Sequence, residues 1–210
     1  MMESSTRLLL TGFGPFGTID NNPSSLVLDA VQYQLQDILS CEVFTLVLPV
    51  SYQRAPMLVD QALQAAEKAG QPFDVYCALG VHRGDYFRLE TSAKSHSSSI
   101  REDVDQTLGL QLASTQQPHI LRTTFNIDRI MSTLTYNAMP TELGIRKSDN
   151  AGGYVCEALL FHLLQRSQQA TVTQNKRTQA IFIHVPKLEH CSIERQVSTL
   201  VQILSVILLD

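Results

Sequence analysis

Charge is scarce in this chain. Asp, Glu, Lys and Arg make up 17% of its 210 residues, against about 25% in ordinary globular proteins. The polar surface therefore has to come largely from Ser, Thr, Gln and Asn. The net charge is −4, the isoelectric point is near 5.8, and no basic block stands out. A nucleic acid or other polyanion has no electrostatic support as a partner. Long apolar runs are missing too. Met1–Arg7 is polar, Leu8-Leu9-Leu10 is too short for a signal-peptide core, and no run approaches the ~20 residues of a membrane span. A soluble, cytoplasmic protein is expected. Paired cysteines are also missing. Cys41, Cys77, Cys156 and Cys191 are scattered, none in a CxxC. That argues against zinc and, in a reducing cytosol, for thiols rather than a disulfide frame.

The apolar share is 44% and aromatics reach 7%, enough to exclude a disordered chain. The length suits one α/β domain, residues 1–210. Strand-like apolar runs fall at Arg7–Thr11, Cys41–Val50, Phe73–Leu79 (ended by Gly80) and Thr178–Val185, with weaker signals at Tyr86–Ala93 and Ile120–Thr124. Helical periodicity marks Pro23–Ile38, where Leu26, Ala30 and Tyr33 share a face. It also marks Pro56–Ala69, Asp128–Asn137, Tyr154–Gln165 and Ile193–Leu209. Asn22 before Pro23 and Ser192 before Ile193 are good N-caps. Turns are expected at Pro140 and Gly144, and Ser95–Ser99 as exposed loop. Alternating strands and helices, with strands that are continuous apolar runs, predict an open, twisted, mostly parallel sheet with helices on both faces. Chemistry in such folds gathers beyond the carboxyl ends of the strands. Here those segments are Gly12–Pro23, Pro49–Tyr52, Gly80–Glu90 and His184–Pro186.

Gly12-Phe13-Gly14-Pro15-Phe16-Gly17 matches the GxGxxG of dinucleotide sites. That motif needs a helix opening inside the loop and an acidic residue at the end of the second strand. Pro15 interrupts the turn, the next helix start is Asn22-Pro23, and the second strand ends Leu48-Pro49-Val50 without a carboxylate. A nucleotide-dependent oxidoreductase is disfavoured. An apolar pocket wall built from Phe13 and Phe16 is the sharper alternative to a merely structural loop.

Ser148–Glu157 (SDNAGGYVCE) carries polar residues and two glycines into a helix, with Cys156 near its first turn. The partial positive charge of a helix N-terminus favours a thiolate there. A buried, inert Cys156 is the equal alternative on position alone. His184 ends an apolar strand, where a catalytic base is well placed. Glu90 is a candidate orienting acid, although by pattern it reads as an exposed strand carboxylate.

Together these segments resemble the type I pyroglutamyl peptidases, or pyrrolidone-carboxylate peptidases. Thr11–Gly17 followed by Asn22-Pro23-Ser24 is similar to the family's opening, and Leu48-Pro49-Val50 to its second-strand end. Ser148–Cys156 resembles its S-x-D-A-G-x-Y-x-C segment, and Ile183-His184-Val185-Pro186 its histidine segment. The resemblance implies a cytosolic cysteine exopeptidase. Cys156 would be the nucleophile, His184 the general base and acid, and Glu90 the orienting carboxylate. Phe13 and Phe16 would flank the lactam ring of an N-terminally pyroglutamyl-blocked peptide. No metal or cofactor is implied, and homo-oligomers, often tetramers, are. Departures from the family pattern fall at Asn150, Glu157, Ser95 and the Gly80–Glu90 loop. The alternative reading is a catalytically weakened relative that binds N-blocked peptides or a protein partner.

Overall fold

A computed structural model of the protein describes residues 5–95, 99–109, 119–136, 144–174 and 177–209. The Leu8-Leu9-Leu10 run forms β1 (Thr6–Phe13), buried along almost its whole length. Side chains alternate across a strand, so Leu8 and Leu10 enter one core cluster while Leu9 and Phe13 enter another. β2 (Cys41–Leu48), β3 (Val75–Val81) and β8 (Gln179–Val185) join β1 in parallel. β4 (Phe87–Glu90) lies antiparallel to β8, and β7 (Ile145–Ser148) parallel to β4. The six-stranded order is β2-β1-β3-β8-β4-β7. β5 (Ser92–Lys94) and β6 (Ile120–Arg122) form a separate antiparallel pair.

Helices cover both faces. On one, α2 (Leu28–Ile38), α4 (Ile127–Tyr136) and α6 (Ile193–Leu209) pack Val31, Leu35, Ile130, Leu200 and Leu204 against Leu8, Leu10 and Ile183. On the other, α3 (Arg54–Lys68) and α5 (Val155–Gln174) pack Val59, Leu63, Leu159 and Leu163 against Leu9 and Phe182. This is the expected mostly parallel α/β sheet.

Several elements differ from expectation. The helix over 23–38 is two, α1 (Pro23–Leu26) and α2, interrupted at Val27. The Leu26/Ala30/Tyr33 face is exposed, and the buried stripe is Val27, Leu28, Val31 and Leu35. Both stripes have helical spacing, and the branched aliphatics win the core. β3 does not stop at Gly80 but pairs through it to Val81, opposite His184 and Val185. The 86–93 segment breaks at Thr91 into β4 and β5, which join different sheets. β7 gave no signal, because Ile-Arg-Lys-Ser has one apolar residue and an exposed middle. α5 runs past Gln165 to Gln174 on a mostly polar stretch with few buried side chains, among them Ser167 and Ala170. The expected turn at Pro140, the end of the 128–137 helix and the middle of the 95–99 loop lie outside the described residues.

Candidate active site

The loop after β1 folds back on the strand that makes it. Asn22 caps α1 through Oδ1, which accepts from Ser24 N–H at 3.1 Å, while Asn22 Nδ2 donates to the Gly14 carbonyl at 3.0 Å. Phe13 N–H donates to Ser24 Oγ at 3.0 Å. α1 presses so closely on β1 that a Cβ on Gly12 would lie 2.0 Å from the Ser24 carbonyl oxygen. Gly12 therefore serves the close packing of α1 on β1. Phe13 is 2% exposed and sits in the core; Phe16 is half-buried. Both reach the wall of one cavity of about 620 Å³, which also takes in Cys156 and His184.

That cavity lies beyond the carboxyl ends of β1, β3 and β8. His184 is one residue short of the end of β8. Its Nδ1 and Glu90 Oε1 are 2.7 Å apart, with both side chains buried. Glu90 is therefore no exposed strand carboxylate. It lies on β4, which runs antiparallel to β8, and this reversal brings the acid back to the histidine. Cys156 is in the first turn of α5, which the turn from Gly152 (φ 96°) to Gly153 (φ 65°) aims over β3. Its Sγ would be 3.1 Å from a Cβ on Gly80, and Gly80 is the register partner of His184. Gly80 is thus part of the site, a role that its reading as a strand terminator had hidden.

The environment opposes a resting thiolate. Burial, and then the Glu90 carboxylate, push the Cys156 thiol up to about 12, while its own backbone N–H and Arg88 pull weakly the other way. The helix N-terminus acts in the expected direction, but desolvation outweighs it. The other three cysteines are buried free thiols. Cys191, packed before α6, belongs to the core with Cys41 and Cys77.

Arg88 was missed at the level of sequence. Its guanidinium lies 2.8 Å from Glu90 Oε1 and donates to Ser148 Oγ at 2.7 Å and to the Asn150 carbonyl. The departures from the family pattern keep their acceptors. Asn150 Oδ1 receives Gly152 N–H at 3.0 Å, as an aspartate oxygen would. The buried Glu157 accepts from Lys94 N–H at 2.8 Å and from Gly153 N–H at 3.2 Å, binding β5 to the start of α5. Ser95 Oγ accepts from His119 N–H at 3.0 Å and extends the β5–β6 pairing. Two of the N–H groups in the Gly152–Cys156 turn are therefore already engaged. In the 80–90 loop, His82 accepts Gly84 N–H at Nδ1 and pairs through Nε2 with the Tyr86 carbonyl. Burial lowers its pKa, and its ring lies beside His184, centroids 5.8 Å apart. Arg101 stacks over both Phe16 and Tyr154 at 5.3 Å. Among the described residues, no group of three or more His, Cys, Asp or Glu is placed to hold a metal ion.

The sequence profile of pyroglutamyl peptidases matches residues 6–206. The chain belongs to the pyroglutamyl peptidase family. Among relatives of this family, the chain is 23% identical to a pyrrolidone-carboxylate peptidase of Mycobacterium marinum over 188 residues, 87% of this chain and 78% of the relative. It is 23% identical to that of Pyrococcus furiosus over 192 residues, 90% and 85%. Pyroglutamyl peptidase I of Bacillus amyloliquefaciens shares the fold with a TM-score of 0.80 at 18% identity, covering 98% of each chain. The pyrrolidone carboxyl peptidase of Fervidobacterium islandicum does so with a TM-score of 0.74 at 24% identity, covering 97% and 98%. Membership makes this chain a cysteine-type hydrolase. No described helix is long and apolar enough to cross a membrane.

Proposed function

We propose that the protein removes N-terminal pyroglutamyl residues from peptides through a thioester on Cys156. The observation that carries this reading is the buried Glu90–His184 pair at the wall of the cavity that holds the Cys156 thiol. The resting thiol is protonated, so attack and proton transfer are coupled. Cys156 Sγ bonds to the pyroglutamyl carbonyl carbon as its proton passes to His184 Nε2. Free backbone N–H groups at the start of α5 hold the oxyanion. His184 gives the proton to the leaving amine, the C–N bond breaks, and a thioester remains. Water, deprotonated by His184, then cleaves the thioester; free pyroglutamate leaves and the thiol is restored. Glu90 holds the imidazole tautomer with Nε2 toward the thiol and stabilises the cation. The lactam is small, flat and uncharged, and it lies against Phe13 and Phe16.

On this reading one peptidase domain spans residues 1–210, works in the cytoplasm and assembles as a homo-oligomer. The test is hydrolysis of a fluorogenic pyroglutamyl amide, with and without a thiol alkylator. Turnover is expected, abolished by alkylation and by Cys156→Ser. An active Cys156→Ser enzyme overturns the nucleophile assignment, and full activity in Glu90→Gln overturns that of Glu90.

A further inference from the structure

The buried carboxylate of Glu90 uses one oxygen for two partners. Oε1 meets both His184 Nδ1 at 2.7 Å and the Arg88 guanidinium at 2.8 Å, while Oε2 is buried without a partner. An imidazole N–H alone is thin support for a carboxylate with no exposed surface, because a buried charge is costly unless it is paired and well hydrogen-bonded. Arg88 supplies the missing charge. It stands two residues before Glu90 on β4, and residues two apart in a strand share a face. Leu89 between them points to the opposite, apolar side.

The same guanidinium reaches a second part of the site. It donates to Ser148 Oγ at 2.7 Å and to the Asn150 carbonyl. Those residues begin the segment that continues through Gly152 and Gly153 to Cys156. Ser148 is also the register partner of Glu90, and Thr91 N–H donates to its carbonyl at 2.7 Å. One cation therefore joins the strand that carries the acid to the turn that delivers the nucleophile. All three contacts fall on the same nitrogen, Nη2, which places one positive corner of the guanidinium between Glu90, Ser148 and Asn150.

We propose that Arg88 is a positioning residue: it keeps Glu90 aimed at His184, and it locks the 148–150 turn in register with that acid. The proposal rests on the Cys156–His184–Glu90 reading. Arg88→Met keeps much of the stem and removes the guanidinium. It is expected to lower kcat about a hundredfold, the scale of a misplaced catalytic group, with KM changed less than about threefold. The decisive measurement is a double-mutant cycle with Glu90→Gln. Because only part of the Arg88 effect passes through Glu90, the double variant is expected to be slower than Glu90→Gln by clearly less than the factor that Arg88→Met costs the wild type, coupled residues not being additive. Losses that multiply overturn the proposal. Arg88→Lys is expected to recover part of kcat; a lysine variant no better than Arg88→Met also counts against it.

A readout independent of turnover separates this proposal from the peptidase reading. In ¹⁵N-labelled protein, the His184 Nδ1 proton held by Glu90 gives a downfield imidazole resonance. Arg88→Met is expected to shift or broaden that resonance while the amide spectrum stays folded. An unchanged resonance in a folded Arg88→Met protein overturns the proposal even if the wild type hydrolyses nothing. Wild-type turnover of the pyroglutamyl amide tests the peptidase reading separately.

Discussion

Gly80 sets the space into which the Cys156 thiol projects. A Cβ there would meet Phe182 Cζ at 2.7 Å and Cys156 Sγ at 3.1 Å. Gly80→Ala is expected to cost about 1–3 kcal/mol of stability, the usual scale of overpacking. It should also cut kcat/KM about tenfold or more by displacing the nucleophile. Thermal melting and steady-state kinetics check both, and unchanged kinetics contradict the placement of Sγ. The elevated thiol gives a second expectation. Alkylation of the free enzyme by iodoacetamide at Cys156 should climb through the alkaline range, since only the thiolate reacts and burial holds the proton on sulfur. A rate already at plateau below neutral pH contradicts it. Much of this was legible: the 148–157 segment and His184 marked themselves by residue type and by position at element ends. Glu90 did not, because its burial follows from the antiparallel turn of β4, which no local pattern encodes. By pattern it was a candidate acid that read as exposed, and the resemblance gave it its role. Gly80 carried a signal, glycine in a strand marking close approach, but a strand terminator fits the same letter.

The elements around the site are tied by side chains that sequence pattern leaves silent. Glu157 joins β5 to the first turn of α5 through two backbone N–H groups. Glu157→Ala removes the shared acceptor of two part-buried N–H groups and is expected to cost about 1–3 kcal/mol in all. Urea unfolding measures it; a loss under about 0.5 kcal/mol, typical of a surface change, contradicts the role. Because Glu157, Asn150 and Ser95 all make such bonds, these departures from the family pattern read as alternative fastenings, and nothing in the structure favours a binding-only relative. β1, β2, β3, β8 and the helices α3 and α6 were visible in the sequence because each buries enough apolar surface to write a period. β5 and β6, three residues each, showed only as the weak signals over Tyr86–Ala93 and Ile120–Thr124, and β7, four residues with one apolar side chain, showed as nothing.

At the scale of the whole molecule, the two-faced sheet follows from apolar strands that feed opposite cores, which is why the fold class could be read directly. That burial also makes a prediction about pH. Cys156 is pushed from an ordinary value of 9.0 up to about 12, and Tyr76 and Tyr154 from 10.0 up to about 12, each chiefly by burial. The unfolded chain loses these protons first, so folding binds protons in this range. Stability is intact below the unfolded values and declines as pH rises from about 9 toward 12. The urea midpoint should fall across that window, and a flat midpoint contradicts the burial of these groups. The central claim is that Cys156 carries the pyroglutamyl group during turnover. Its most direct test is acid quenching during hydrolysis of a pyroglutamyl amide, followed by mass spectrometry of the peptide that contains Cys156. The account predicts one pyroglutamyl acyl group on Cys156, trapped in the wild type and missing in Cys156→Ser. Turnover with no acyl group on that peptide, or an acyl group on another residue, would contradict it.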